Sequence, residues 1–183
     1  DPACGDVEPT DTVTLNFVLD DGTAGTASVV PTDEPGRLEV IHTEDCVGAA
    51  LAKHALVEGP EEASWTPGAH APAELDLRVT PTGAAGAATI VFAKDTVLLS
   101  LVDEAGAEVY EQSVGLVVGA DSMPSVIRLL VVPSRCDPHA VAEDKRGTFF
   151  PLEVTTSDGD AGRIYVPVSD AVRASLYDYV GDW

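Results

Sequence analysis

The chain has 183 residues, enough for one or two domains with a real core. Ten basic residues stand against 31 acidic ones, a formal net charge of −21, so phosphate backbones and anionic lipid surfaces are repelled and no nucleic-acid partner is expected. No apolar run approaches the ~20 residues that a membrane-spanning helix needs, so no membrane insertion is expected.

In chain order, Asp1-Pro2-Ala3 carries neither the basic nor the apolar region of a signal peptide, which suits a processed or trimmed start. Asp1-Pro2-Ala3-Cys4 is also a poor lipobox. A polar loop then leads to alternating strands at 12–20 and 25–31, joined at Asp21-Gly22, the mark of a β-hairpin. Residues 37–42 read as a short helix or strand running into Cys46. Val47 to Glu58 allows either a helix or a route into a strand at Leu56. Gly59-Pro60 and Thr66-Pro67-Gly68 punctuate the chain strongly, so a linker is expected over 59–72. Trp65 within it reads as a plug against a sheet edge or as an exposed binding aromatic.

From residue 73 onward the pattern is a series of short strands. Leu75, Leu77 and Val79 alternate with Asp76, Arg78 and Thr80, which gives one buried and one wet face. Strands follow over 88–93, 96–102, 108–118 and 126–132, with a second hairpin over 147–167 and a short helix capped at Ser169 or Asp170. A turn every 8–12 residues without β–α–β alternation predicts a mainly β, antiparallel β-sandwich. The expected organisation is a hairpin module over 1–58, the linker, and an immunoglobulin-like sandwich over 73–183, with short helices near 37–58 and 170–180.

The two hairpins echo one another. Val13, Leu15 and Phe17 match Phe150, Leu152 and Val154; Asp21-Gly22 matches Asp158-Gly159; Gly25 matches Gly162. Cys4 and Cys136 each lie shortly upstream, and the constant interval lays Cys46 on Trp183. The echo predicts an internal duplication, with 1–58 resembling the end of a first sandwich whose opening strands are missing; in the alternative, the first 58 residues add strands to the second domain's sheet.

Three cysteines leave one unpaired. Cys4 with Cys46 is the expected disulfide, Cys46 with Cys136 the rival pairing, and three reduced thiols in a cytoplasmic protein a third reading. The acidity itself fits solubility, a hard cation such as calcium, or a basic protein partner. No Asp-x-Asp-x-Asp-Gly loop is present.

The segment Arg135-Cys136-Asp137-Pro138-His139-Ala140-Val141-Ala142-Glu143-Asp144-Lys145-Arg146-Gly147 resembles one that recurs in exported actinobacterial proteins of unassigned function. The resemblance implies an extracytoplasmic location and attaches no activity, cofactor or catalytic residue.

Chemistry is sparse in the rest of the pattern. His42, His54, His70 and His139 form no zincin spacing, and no Gly-x-Ser-x-Gly elbow or phosphate loop is written here. Cys136, His139, Glu143 and Asp144 are the candidate metal ligands; the competing reading is a structural loop whose Asp137-Pro138 opens a turn. Scattered acids leave paired-carboxylate chemistry open, but no enzyme is expected without a site. Two functions remain: a non-catalytic extracytoplasmic module binding a protein or glycan at the cell surface, and a metal-binding or metal-stabilised exported domain.

Overall fold

A computed structural model describes Cys4 and residues 12–183. The polar loop expected after Cys4 and the residues before it lie outside the described residues. Among the described residues strands far outnumber helical positions, so the molecule is mainly β. Contacts divide it into two units, Asp1–Cys46 and Val47–Trp183.

Unit 1 holds a hairpin of β1 (Val13–Val18) and β2 (Ala24–Val29), followed by α1 (Arg37–Ala52), whose last residues belong to unit 2. The turn forms because Gly22 adopts a positive φ of 84° and Asp21 accepts from the Thr23 N–H at 2.9 Å. Those bonds from Thr23 hold the Asp21 carboxyl below its ordinary value. Asp33 accepts from the N–H groups of Arg37 (2.8 Å) and Leu38 (2.6 Å), satisfying donors that the first helical turn leaves free. Cys4 and Cys46 form a disulfide, with 5.4 Å between their Cα atoms.

Unit 2 is a β-sandwich. Its strands are β3 (Ala55–Glu58), β4 (Ala63–Ser64), β5 (Ala73–Pro81), β6 (Ala87–Lys94), β7 (Leu99–Val102), β8 (Glu108–Val109), β9 (Glu111–Gly119), β10 (Ser125–Pro133), β11 (Phe149–Thr156) and β12 (Ala161–Pro167). One sheet runs β3-β5-β10-β7-β8, with β4 also beside β5; the other runs β12-β11-β6-β9. Every pairing is antiparallel. Alternation explains the core: Leu75, Leu77, Leu129 and Val131 from the first sheet join Ile90, Phe150, Leu152 and Val154 from the second in one buried cluster. Each such side chain stabilises the fold by about 1.5–3 kcal/mol relative to exposure.

The helices are α1, α2 (Pro138–Ala142) and α3 (Asp170–Asp182). Ser169 caps α3 by accepting from the Val172 N–H at 3.2 Å, and Val172, Leu176, Tyr179 and Val180 bury the stripe expected of an amphipathic helix.

The expected domain boundaries need correction. The division falls after Cys46 and not near 58. Residues 55–58 form β3 and pair with β5, Leu56 opposite Thr80 and Val57 opposite Val79. Within the expected linker, Ala63 and Ser64 pair with Leu75 and Glu74. Gly and Pro mark turns there, but the chain between them adds an edge to the sheet. Trp65 is a packing residue: its ring centroid lies 5.4 Å from that of Tyr179, and its Nε1–H donates to Ser175 Oγ at 3.2 Å.

Candidate functional site

The Cys136–Gly147 loop carries the candidate metal ligands. Asp137 opens α2 by accepting from the Ala140 N–H at 3.0 Å, the turn expected of Asp-Pro. Desolvation opposes its ionisation, but the Ala140 N–H and the Arg135 guanidinium outweigh it and hold the carboxyl below its ordinary value. Asp144 accepts from the Gly147 N–H and, at 2.9 Å, from the Tyr177 hydroxyl. Burial, and then that bond to Asp144, push the Tyr177 phenol up. Arg146 lies over the Tyr165 ring, 4.9 Å from its centroid. Cys136 is an exposed, unpaired thiol, and His139 and Glu143 are exposed. Among the described residues, no three His, Cys, Asp or Glu side chains converge as a metal site requires. The loop folds through backbone caps and Tyr177, which the sequence spacing did not display.

The histidines do not gather either. His42 lies 3.7 Å from the Cys46 sulfur, and His70 packs edge-on against Trp183 with centroids 5.8 Å apart. His54 is buried at the start of β3 with neither ring nitrogen hydrogen-bonded; its Nε2 lies 4.0 Å from Asp158 Oδ2. A buried polar ring without partners costs stability.

The hairpins show the clearest asymmetry. Their registers coincide: Val13 opposite Val29 falls on Phe150 opposite Val166, Leu15–Ala27 on Leu152–Ile164, and Phe17–Gly25 on Val154–Gly162. The turns coincide as well. Leu19 N–H donates to Thr23 O at 2.8 Å, as Thr156 N–H donates to Asp160 O at 2.8 Å. In unit 2 the inner face is at most 3% exposed at Phe150, Leu152, Val154 and Val166. The same face in unit 1 is 42% to 49% exposed at Val13, Leu15, Phe17 and Val29. Alternation is equally clear in both hairpins, so the sequence pattern did not separate them.

The second half of each repeat is offset. An extra turn, in which the Gly36 N–H donates to Asp33 O at 3.0 Å, precedes α1 and delays the helix. Matching the helix starts, Arg37 with Asp170, lays Cys46 on Tyr179 and not on Trp183. Tyr179 thus stands, in the helix after the second hairpin, where the helix after the first carries the disulfide-bonded Cys46. The Tyr179 hydroxyl bonds to Ala71 O (2.9 Å) and Val131 O (3.0 Å). Burial chiefly pushes its phenol up to about 12, against an opposing bond from Ala73.

The chain matches no protein-family model and no curated protein. No helix among the described residues is long and apolar enough to cross a membrane.

Proposed function

We propose that the protein is a non-catalytic, extracytoplasmic β-sandwich module that binds a protein partner at the cell surface. The observation that carries this reading is the exposed hairpin face Val13, Leu15, Phe17 and Val29. Contiguous apolar side chains at 42% exposure or more are costly in water and mark an interaction surface. Its counterpart in unit 2 lies beneath a second sheet, so a protein sheet with an apolar face is the matching chemistry. The Cys4–Cys46 disulfide supports an oxidising compartment, and the acidic surface supports solubility there.

Cells that produce the protein provide the test. A membrane-impermeant maleimide is expected to label the exposed Cys136 on intact cells; labelling only after lysis would refute the location. A photo-crosslinking residue at Val18, which is 70% exposed, is expected to give a discrete protein adduct that Phe17→Asp abolishes. An adduct unaffected by Phe17→Asp, or none, would refute binding through this face.

A further inference from the structure

We infer that the open edge of β10, between Ser125 and Leu130, takes an extended cationic peptide as an added strand. The inference gives a partner class to the proposed module but rests on unit 2 alone. It stands or falls apart from the hairpin face and the cellular location.

The opening arises from unequal strand lengths. On one side, β10 pairs with β5 from Ser125 to Val131. On the other, β7 covers only Val131, Val132 and Pro133. The Ser134 N–H donates to Leu98 O at 2.9 Å on that second side. By the alternation of a strand, Val132, Leu130, Arg128 and Val126 direct their backbone groups the same way. Of these, Arg128 and Val126 lie beyond the reach of β7, and Leu130 stands at its end, opposite Val102. One side chain already substitutes for the absent strand: Gln112 on β9 donates to the Arg128 carbonyl at 3.0 Å. Backbone groups left in this way form the template on which extended peptides dock.

The edge opens onto a groove of about 610 Å³ between the two sheets. Its floor includes Val114 and Leu116 of β9, which point inward by alternation yet stay only half-buried. β9 is itself an edge strand. A strand laid along β10 would cover these two side chains with every second residue. Its remaining side chains would face solvent near Asp103, Glu104 and Arg128. Asp76 and Glu74 pair with Arg128 at 3.1 and 3.2 Å. Glu61 pairs at 2.8 Å with Arg78, which lies opposite Val126. With Asp103 and Glu104 added, carboxylates outnumber these two arginines. That field selects a basic partner, in keeping with the −21 carried by the whole chain. The occupant is therefore an extended segment in which apolar and basic residues alternate.

The test titrates the whole chain with a capped hexapeptide of alternating lysine and valine, by calorimetry and by amide hydrogen exchange. Expected are salt-sensitive binding and slowed exchange at the N–H groups of Val126, Arg128 and Leu130. A glutamate–valine peptide should not bind, and a proline at the central valine should weaken binding at least tenfold. Val114→Arg should weaken it at least tenfold by filling the groove with like charge. Val126→Pro should do the same by removing a donor that faces the groove and not β5, a substitution that edge positions tolerate. A peptide of three lysines followed by three valines controls for charge alone. Equal binding of that control, unchanged exchange along β10, or wild-type affinity in both variants would overturn the inference. So would failure of the alternating peptide to bind.

Discussion

Two hairpins of one chain, β1–β2 and β11–β12, share strand register, turn geometry and a following helix, and differ in what lies over them. The second pairs with β6 and buries its inner face; the first keeps the same face exposed and is tied to its helix by Cys4–Cys46. The difference separates what a hairpin needs to form from what it needs to be stable. Formation rests on local chemistry: an Asp-Gly turn and strands of period two. Stability comes from burial against a second layer, and two strands alone are marginal in water. In unit 1 a covalent clamp supplies part of what packing supplies in unit 2.

Reduction of the disulfide gives the largest expected effect. Closing a loop over a sequence separation of 42 constrains the unfolded chain, a stabilisation of about 4 kcal/mol in the entropy model. Hydrogen exchange with and without reductant should show β1 and β2 losing protection while β5 and β10 keep theirs. Equal loss in both units would mean that the two are not separately stabilised.

Truncating matched core positions sharpens the contrast. Leu152→Ala empties a fully buried site and should cost about 3 kcal/mol. Leu15→Ala, at the equivalent but half-exposed site, should change stability by roughly 0.5 kcal/mol or less. Both tryptophans lie in unit 2, so denaturant titration followed by tryptophan fluorescence reports Leu152→Ala, and hydrogen exchange at the β1 and β2 amides reports Leu15→Ala.

Alkaline pH probes the position where tyrosine replaces cysteine. The folded-state pKa of Tyr179 is raised to about 12, above the unfolded value of about 10, so the folded state holds its proton more tightly. Its contribution is complete below pH ~10 and fades as pH rises through ~12, a loss of roughly 2 kcal/mol. Tyr179→Phe should flatten the pH dependence of unfolding in that window. An unchanged slope would mean that another group carries it.

A further expected effect has the opposite sign. In unit 2 the hairpin turn brings Asp158 near the unpartnered His54, whereas Asp21 in the first turn bonds within its own loop. His54→Leu removes two unsatisfied buried nitrogens and should raise unit 2 stability by about 1 kcal/mol, seen as a higher denaturation midpoint. A lower midpoint would show that the ring contributes more by packing than its bare nitrogens cost.

Much of the fold was legible because its signals are local. Alternation at Leu75, Leu77 and Val79, the turns at Asp21-Gly22 and Asp158-Gly159, and the Ser169 cap depend on neighbours within a few residues. The candidate site was not legible in the same way. Cys136, His139, Glu143 and Asp144 are close in the chain, yet α2 and the bond from Tyr177 to Asp144 leave them without a shared centre. The groove beside β10 had no sequence signal, because it exists only where β7 stops short of covering its neighbour.

The amino-acid order by itself determined the hairpins, their turns, the helix caps and the β-rich class, since each follows from backbone preference and side-chain period. Tertiary structure alone decided that β3 and β4 join the edge of unit 2, that one hairpin face is buried and its twin is not, and that the Tyr179 hydroxyl reaches the Ala71 and Val131 carbonyls. Those outcomes depend on which distant strands close upon one another. The free energy of such closure is shared among many residues far apart in the chain, so no short stretch of it announces the result.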